Sequence, residues 1–194
     1  MFFLDIETLG VESTAAILSI AIIYVPDAEP RPAVELMSDY IFVKFDVKDQ
    51  ISRFKRTVDM GTVEWWKKQS KNARDKSYER NPDLDLSSEE ALDRIDAWVK
   101  KHKDYSNELV WIRGTLDQMA VDSLYSALKR NPPFKYNVYR DMRTAVDLLY
   151  PNSNGGYVEV DSSVCIGYDQ LQWVKHDPVH DVSIDAAMLL YGKK

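Results

Sequence analysis

The chain has 194 residues, 45% of them hydrophobic, and a net charge of −6, enough for one well-cored domain, expected over 1–194, and short for two. Eleven tyrosines, six phenylalanines and five tryptophans argue against a disordered chain, and no apolar run approaches the roughly 20 residues of a membrane span. The single cysteine, Cys165, excludes an intrachain disulfide and a cysteine-built zinc site, and fits a reducing, cytoplasmic setting without a secretory signal.

Residues 1–6 read as a first strand. The stretch Phe2-Phe3-Leu4-Asp5-Ile6-Glu7-Thr8-Leu9-Gly10 carries two carboxylates two residues apart. Strand side chains alternate, so Asp5 and Glu7 share a face, roughly 6–7 Å apart along the backbone. Two anions on so apolar a strand are costly unless a cation neutralises them. Oxygen ligands suit magnesium or manganese better than zinc.

Residues 15–25 form a second strand, Pro26, Pro30 and Pro32 mark the turn after it, and a third strand lies within 34–45. Thr62 is the expected cap of a helix carrying Val63, Trp65 and Trp66. Two adjacent tryptophans on a helix face different directions, so at least one belongs in the core. Ser87 with Glu90 makes a capping box ahead of Leu92, Ile95, Trp98 and Val99 at helical spacing. A buried strand over 108–112 leads through Arg113-Gly114-Thr115 into a helix over 117–130, ended by Asn131-Pro132-Pro133. A last strand is expected over 136–140, followed by a helix capped by Asp141 that stops at Tyr150-Pro151. Asn152 to Asp161 reads as a loop, and a final helix fits 178–191. The order predicts an α/β fold with a mixed five-stranded sheet flanked by helices.

Charge is unevenly spread. Residues 51–80 hold nine basic and four acidic side chains, a local +5 on a remainder of −11. Such a face suits an enzyme gripping a short piece of phosphodiester backbone; a solvated helical face is the plainer reading.

Two further clusters carry chemistry. Asp117 follows a strand and a glycine turn where a helix begins, at the carboxyl edge where α/β sites assemble. Asp122 is the fallback for this second acid. Near the end, Asp177 before Pro178 is a good helix start. His176 then sits just outside that helix and Asp181 in its first turn. The same spacing links His180 to Asp185, but inside a helix those two lie about 140° apart around the axis, so His176 and Asp181 are favoured and Asp185 is a supporting group.

Asp5-x-Glu7-Thr8, Asp117 and His176-x4-Asp181 together resemble the three motifs of the DEDDh 3′→5′ exonucleases, which have the ribonuclease-H-like fold. Thr62 to Gln69 and Arg140 to Thr144 are similar to the branch containing the phage DexA-type exodeoxyribonucleases, which would place the protein in a host cytoplasm. One departure is Gly114-Thr115-Leu116 ahead of Asp117, where many members carry asparagine or an aromatic residue. The resemblance implies two magnesium ions, with manganese as a substitute, held by Asp5, Glu7, Asp117 and Asp181 about 3.5–4 Å apart, and His176 as general base. It implies release of nucleoside 5′-monophosphates from 3′ ends of single-stranded nucleic acid, DNA favoured and RNA the runner-up, by a monomer or homodimer. Thr8 and Leu9 would meet the terminal nucleotide, Trp65 and Trp66 would stack on bases, and Arg113 and Arg143 would reach phosphates. The competing readings are a zinc hydrolase built on His176 and His180 and a catalytically silent nucleic-acid-binding module of the same fold.

Overall fold

A computed structural model of the chain describes residues 1–102 and 104–192. The elements, in order, are β1 (Phe2–Thr8), β2 (Ile17–Tyr24), α1 (Ala33–Leu36), β3 (Tyr40–Phe45), α2 (Val47–Phe54), α3 (Met60–Trp66), α4 (Lys71–Ala73), a π-helical turn (Arg74–Tyr78), β4 (Asp85–Leu86), α5 (Ser88–Val99), a 3₁₀ turn (Tyr105–Asn107), β5 (Val110–Ile112), α6 (Leu116–Ala127), β6 (Tyr139–Asp141), α7 (Met142–Leu149), α8 (Tyr168–Leu171) and α9 (Pro178–Tyr191).

The sheet order is β4-β3-β2-β1-β5-β6. β2 runs antiparallel to β1 and β3, and the other pairings are parallel. This is the ribonuclease-H-like arrangement with one strand more than the sequence predicts. The addition, β4, is two residues long and pairs with Lys44 and Phe45, too short to leave a periodic signal.

Period-two alternation splits β1 between two cores. Phe2, Leu4 and Ile6 pack with Ile20, Ile22, Val43 and Phe45 against buried residues of α5 and α6. Phe3, Ala21 and Ile23 face α1, α7 and α9 on the other side. Phe2 and Phe3 are essentially fully buried, each worth about 1.5–3 kcal/mol. Asp5 and Glu7 continue the row of Phe3 and therefore lie on the α9 side. Opposite them on β2 stand Ala21 and Ser19, small side chains that let α9 cross close to the strands.

Local chemistry sets most helix ends. Asp177 caps α9 by accepting Val179 N–H at 3.0 Å, with Pro178 in the first turn. Asp141 caps α7 and Ser87 caps α5. The cap of α3 is Asp59 rather than Thr62. Its carboxylate accepts both the Thr62 N–H at 2.6 Å and the Thr62 hydroxyl at 2.8 Å, because a cap carboxylate reaches the third amide of its helix.

Candidate active site

Glu7 and Asp117 are buried, at 9% and 6% exposure, while Asp5, Asp181 and Asp185 retain contact with solvent. Asp117 enters from the first turn of α6, behind a turn in which Gly114 has φ of 87°, a conformation that favours glycine. Gly114 N–H donates to Asp141 Oδ1 at 2.9 Å and Arg113 N–H to Asp117 Oδ2 at 3.3 Å. The cap of α7 thus also fixes the turn that delivers Asp117.

From α9 come Asp181 and, one turn on, Asp185. Asp181 accepts the Trp173 indole N–H at 2.9 Å and the His176 amide at 3.1 Å. His176 sits in the left-handed region, φ 66°, which swings its ring over β1 until Nδ1 stands 3.6 Å from Glu7 Oε1. The Trp65 and Trp66 rings flank the imidazole, steeply inclined to it at 75° and 69°, with ring centroids at 4.8 and 6.1 Å. Ligand atoms of Glu7, His176 and Asp181 lie within 4.8 Å of one another.

The electrostatics show how tightly the acids are gathered. The Asp5 carboxyl is pushed well above its ordinary value by burial and then by repulsion from Glu7, Asp117, Asp181 and Asp185. Burial, with Asp177 nearby, raises Glu7 to about 8. Burial, with Asp185 and Glu7 adding, raises Asp117 to about 8 against the pull of the Arg113 amide. Asp181 rises to about 7, chiefly from burial. Each of these groups resists carrying a charge beside the others. An all-oxygen set of mutually repelling carboxylates is what a hard divalent cation satisfies. Burial lowers the pKa of His176 although Asp181 opposes that shift, leaving its imidazole neutral near pH 7.

The structure therefore brings Asp5, Glu7, Asp117, Asp181 and His176 together. His180 does different work: its Nδ1 accepts the Val174 amide at 3.0 Å and pins the loop ahead of α9. Among the described residues it is not in the group able to share a cation. Asp122 lies further along α6 beside Gln118, and it is not among the acids acting on Asp5.

The other side chains named from the sequence are placed as follows. The Arg113 guanidinium is engaged within the fold. Its Nε donates to Asp185 Oδ2 at 3.2 Å, Nη2 to Asp185 Oδ1, and Nη1 to the Gly156 carbonyl at 2.7 Å. Trp66 is fully buried, stacked on Tyr78, with its indole N–H on the Thr8 carbonyl at 3.0 Å, so it is core and not a stacking platform. Trp65 is 40% exposed. Leu9 is 6% exposed and packs with Ala16, Leu18, Trp66 and Ala73. The basic block keeps much of its net charge, because Lys67, Lys71 and Arg74 pair with its own acids Glu64, Asp75 and Glu79. Arg53, Lys67, Lys71, Arg74 and Lys76 pair with carboxylates, and Arg56 is buried on backbone carbonyls and Ser123. Trp173, the indole donor to Asp181, lies outside every motif of the sequence, and nothing in the local sequence signals its part in the site.

Acid clusters set along the central strand of a ribonuclease-H-like sheet belong to metal-dependent nucleases, and that is the class the fold and site define. The family model described as the 3′-5′ exoribonuclease Rv2179c-like domain matches residues 1–189, so the chain belongs to that family. It is also 28% identical, over 211 aligned positions, to the exodeoxyribonuclease of Enterobacteria phage T4, covering 98% of this chain and 88% of that protein. The protein is a 3′-5′ exonuclease of the DEDDh type, dependent on divalent metal and acting on nucleic acid. No helix among the described residues is long and apolar enough to cross a membrane.

Proposed function

We propose that the chain, acting as one domain, removes nucleoside 5′-monophosphates from the 3′ end of single-stranded DNA, with Asp5, Glu7, Asp117, Asp181 and His176 as its catalytic set. The observation that carries this is the mutual crowding of the carboxylates against Asp5, with the His176 ring 3.6 Å from Glu7. Asp5, Glu7, Asp117 and Asp181 would hold two magnesium ions, or manganese in their place. Those ions, when bound, supply a Lewis acid for the phosphodiester and neutralise charge on the attacking and leaving oxygens.

The protein's own part is positioning and proton transfer. His176, neutral and partly open to solvent, accepts the proton of the attacking water. Trp65, 40% exposed beside that imidazole, would stack on the terminal base. Thr8 and Leu9 follow Glu7 directly and border the place of the terminal sugar. Trp173 and the His176 amide hold Asp181 in one orientation, and Arg113 balances Asp185 so that it does not add a further uncompensated anion.

A second reading, trimming of RNA, is favoured by the description of the matching family, whereas the phage relative's name favours DNA. The test uses 5′-labelled DNA and RNA oligonucleotides of identical sequence with magnesium, manganese or chelator. A magnesium-dependent ladder shortening from the unlabelled end of DNA supports the proposal. Faster shortening of RNA selects the second reading, and binding without shortening refutes catalysis.

A further inference from the structure

Two guanidinium groups stand on the α6 side of the acid cluster, and the fold uses them differently. Arg113 is spent on Asp185 and the Gly156 carbonyl. Arg143, in the first turn of α7, is exposed. Its guanidinium carbon lies 5.1 Å from the centre of the Tyr157 ring, and its side chain makes no hydrogen bond or ion pair with a described residue.

The position of Arg143 is nevertheless fixed, first by a shared cap. The Asp141 carboxylate accepts both the Arg143 amide, at 3.2 Å, and the Gly114 amide, at 2.9 Å. One side chain therefore ties the start of α7 to the turn that delivers Asp117. A Cβ built on Gly114 would lie 3.8 Å from Arg143 Nε, so the guanidinium rests against that turn, and its charge acts on Asp117.

The second support is a hairpin in the loop after α7. Asn154 and Tyr157 exchange backbone hydrogen bonds at 2.8 and 3.2 Å around Gly155 and Gly156, which have φ of 59° and 81°. Two central residues of positive φ make the tight turn of a two-residue hairpin. Gly156 leaves no room for a side chain, since a Cβ there would sit 2.2 Å from Arg143 Cβ. Asp147 pins the hairpin to α7: its Oδ1 accepts the Gly156 amide at 2.8 Å and the Ser153 hydroxyl at 2.6 Å. The result is Tyr157, 54% exposed, with the guanidinium carbons of Arg113 and Arg143 5.2 and 5.1 Å from its ring centre, within cation–π range.

We propose that Arg143 donates to a non-bridging oxygen of the phosphate under attack, and that Tyr157 is the positioning residue that holds its guanidinium there. The inference rests on the exonuclease reading above. The carboxylates of the cluster repel phosphoryl oxygens, and Arg113 is already committed to a carboxylate. Arg143 keeps a planar fork of donors that matches phosphate. A cation set in place beforehand is worth most where negative charge develops.

The test measures kcat and KM on a 5′-labelled oligonucleotide under magnesium for Arg143→Ala, Tyr157→Ala, Tyr157→Phe and the double alanine variant. Arg143→Ala is expected to lower kcat about 10²-fold with KM little changed, the worth of one transition-state donor. Tyr157→Ala lowers kcat about 10-fold by releasing the guanidinium, and Tyr157→Phe, which keeps the ring, restores most of that loss. In the double variant the Tyr157 change costs nothing further, because the two residues act as one unit. Both residues are exposed, so these variants are expected to keep the wild-type Tm. Losses that multiply in the double variant overturn the positioning role of Tyr157. An unchanged kcat in Arg143→Ala, or a loss carried by KM alone, overturns the assignment of Arg143 to the reacting phosphate. Failure of the wild-type protein to shorten the oligonucleotide instead overturns the exonuclease reading itself.

Discussion

Arg113→Met in the metal-free protein is the most direct perturbation of the site's electrostatic frame. Arg113 holds Asp185 through two charge-assisted hydrogen bonds and reaches the Gly156 carbonyl with a third. The side chains are 22% and 14% exposed, so the pair is mostly shielded from water. Removing one partner of a buried pair costs about 3–5 kcal/mol, because the remaining charge is stranded. With residual solvent access here, about 3 kcal/mol is the expected loss near pH 7, which for a chain of this size lowers Tm by about 6–12 °C.

The loss has a pH signature. Burial already holds the Asp185 carboxyl above its ordinary value, with Arg113 opposing the shift; without the guanidinium it rises further. An acid whose folded pKa exceeds its unfolded pKa destabilises the fold as pH climbs between the two. The deficit is therefore largest near neutrality and shrinks towards pH 4. Urea unfolding in chelator, across that range, measures it. Asp185→Asn added to Arg113→Met is expected to recover at least half of the loss, and the double-mutant cycle isolates the pair. A deficit below about 1 kcal/mol, the range of exposed ion pairs, or one that does not vary with pH, would refute the reasoning.

His176→Ala is expected to lower kcat by about 10²–10⁴-fold, the usual worth of a general base, while binding of a labelled oligonucleotide survives; loss of turnover in His180→Ala but not in His176→Ala would reverse the assignment. In metal-free protein, Glu7 and Asp117 at about 8 and Asp181 at about 7 all lie above their unfolded values near 4, so stability falls as pH rises from about 4 to 8. Added magnesium or manganese should consequently raise Tm more at pH 8 than at pH 5, and a calorimetric scan showing equal gains would contradict a carboxylate site. Trp173→Phe keeps the packing but removes the N–H held by Asp181, and manganese affinity, read by calorimetric titration, should drop about 10-fold or more, as for other supporting hydrogen bonds at metal sites.

The sequence alone determined what short-range rules control. Alternation along β1 placed Asp5 and Glu7 on one side of the sheet, and Asp177-Pro178 and Asp141 marked where α9 and α7 begin, because strand period and helix caps act within a few residues. The two-residue β4 lay outside that reach, since it exists only through pairing with β3. Tertiary packing alone decided where long side chains end. Arg113 meets Asp185 72 positions away, Trp66 turns inward where Trp65 turns out, and Lys76 pairs with Asp177 from the far end of the chain. A side chain's destination depends on what the fold sets opposite it, and that neighbour is rarely nearby in the chain.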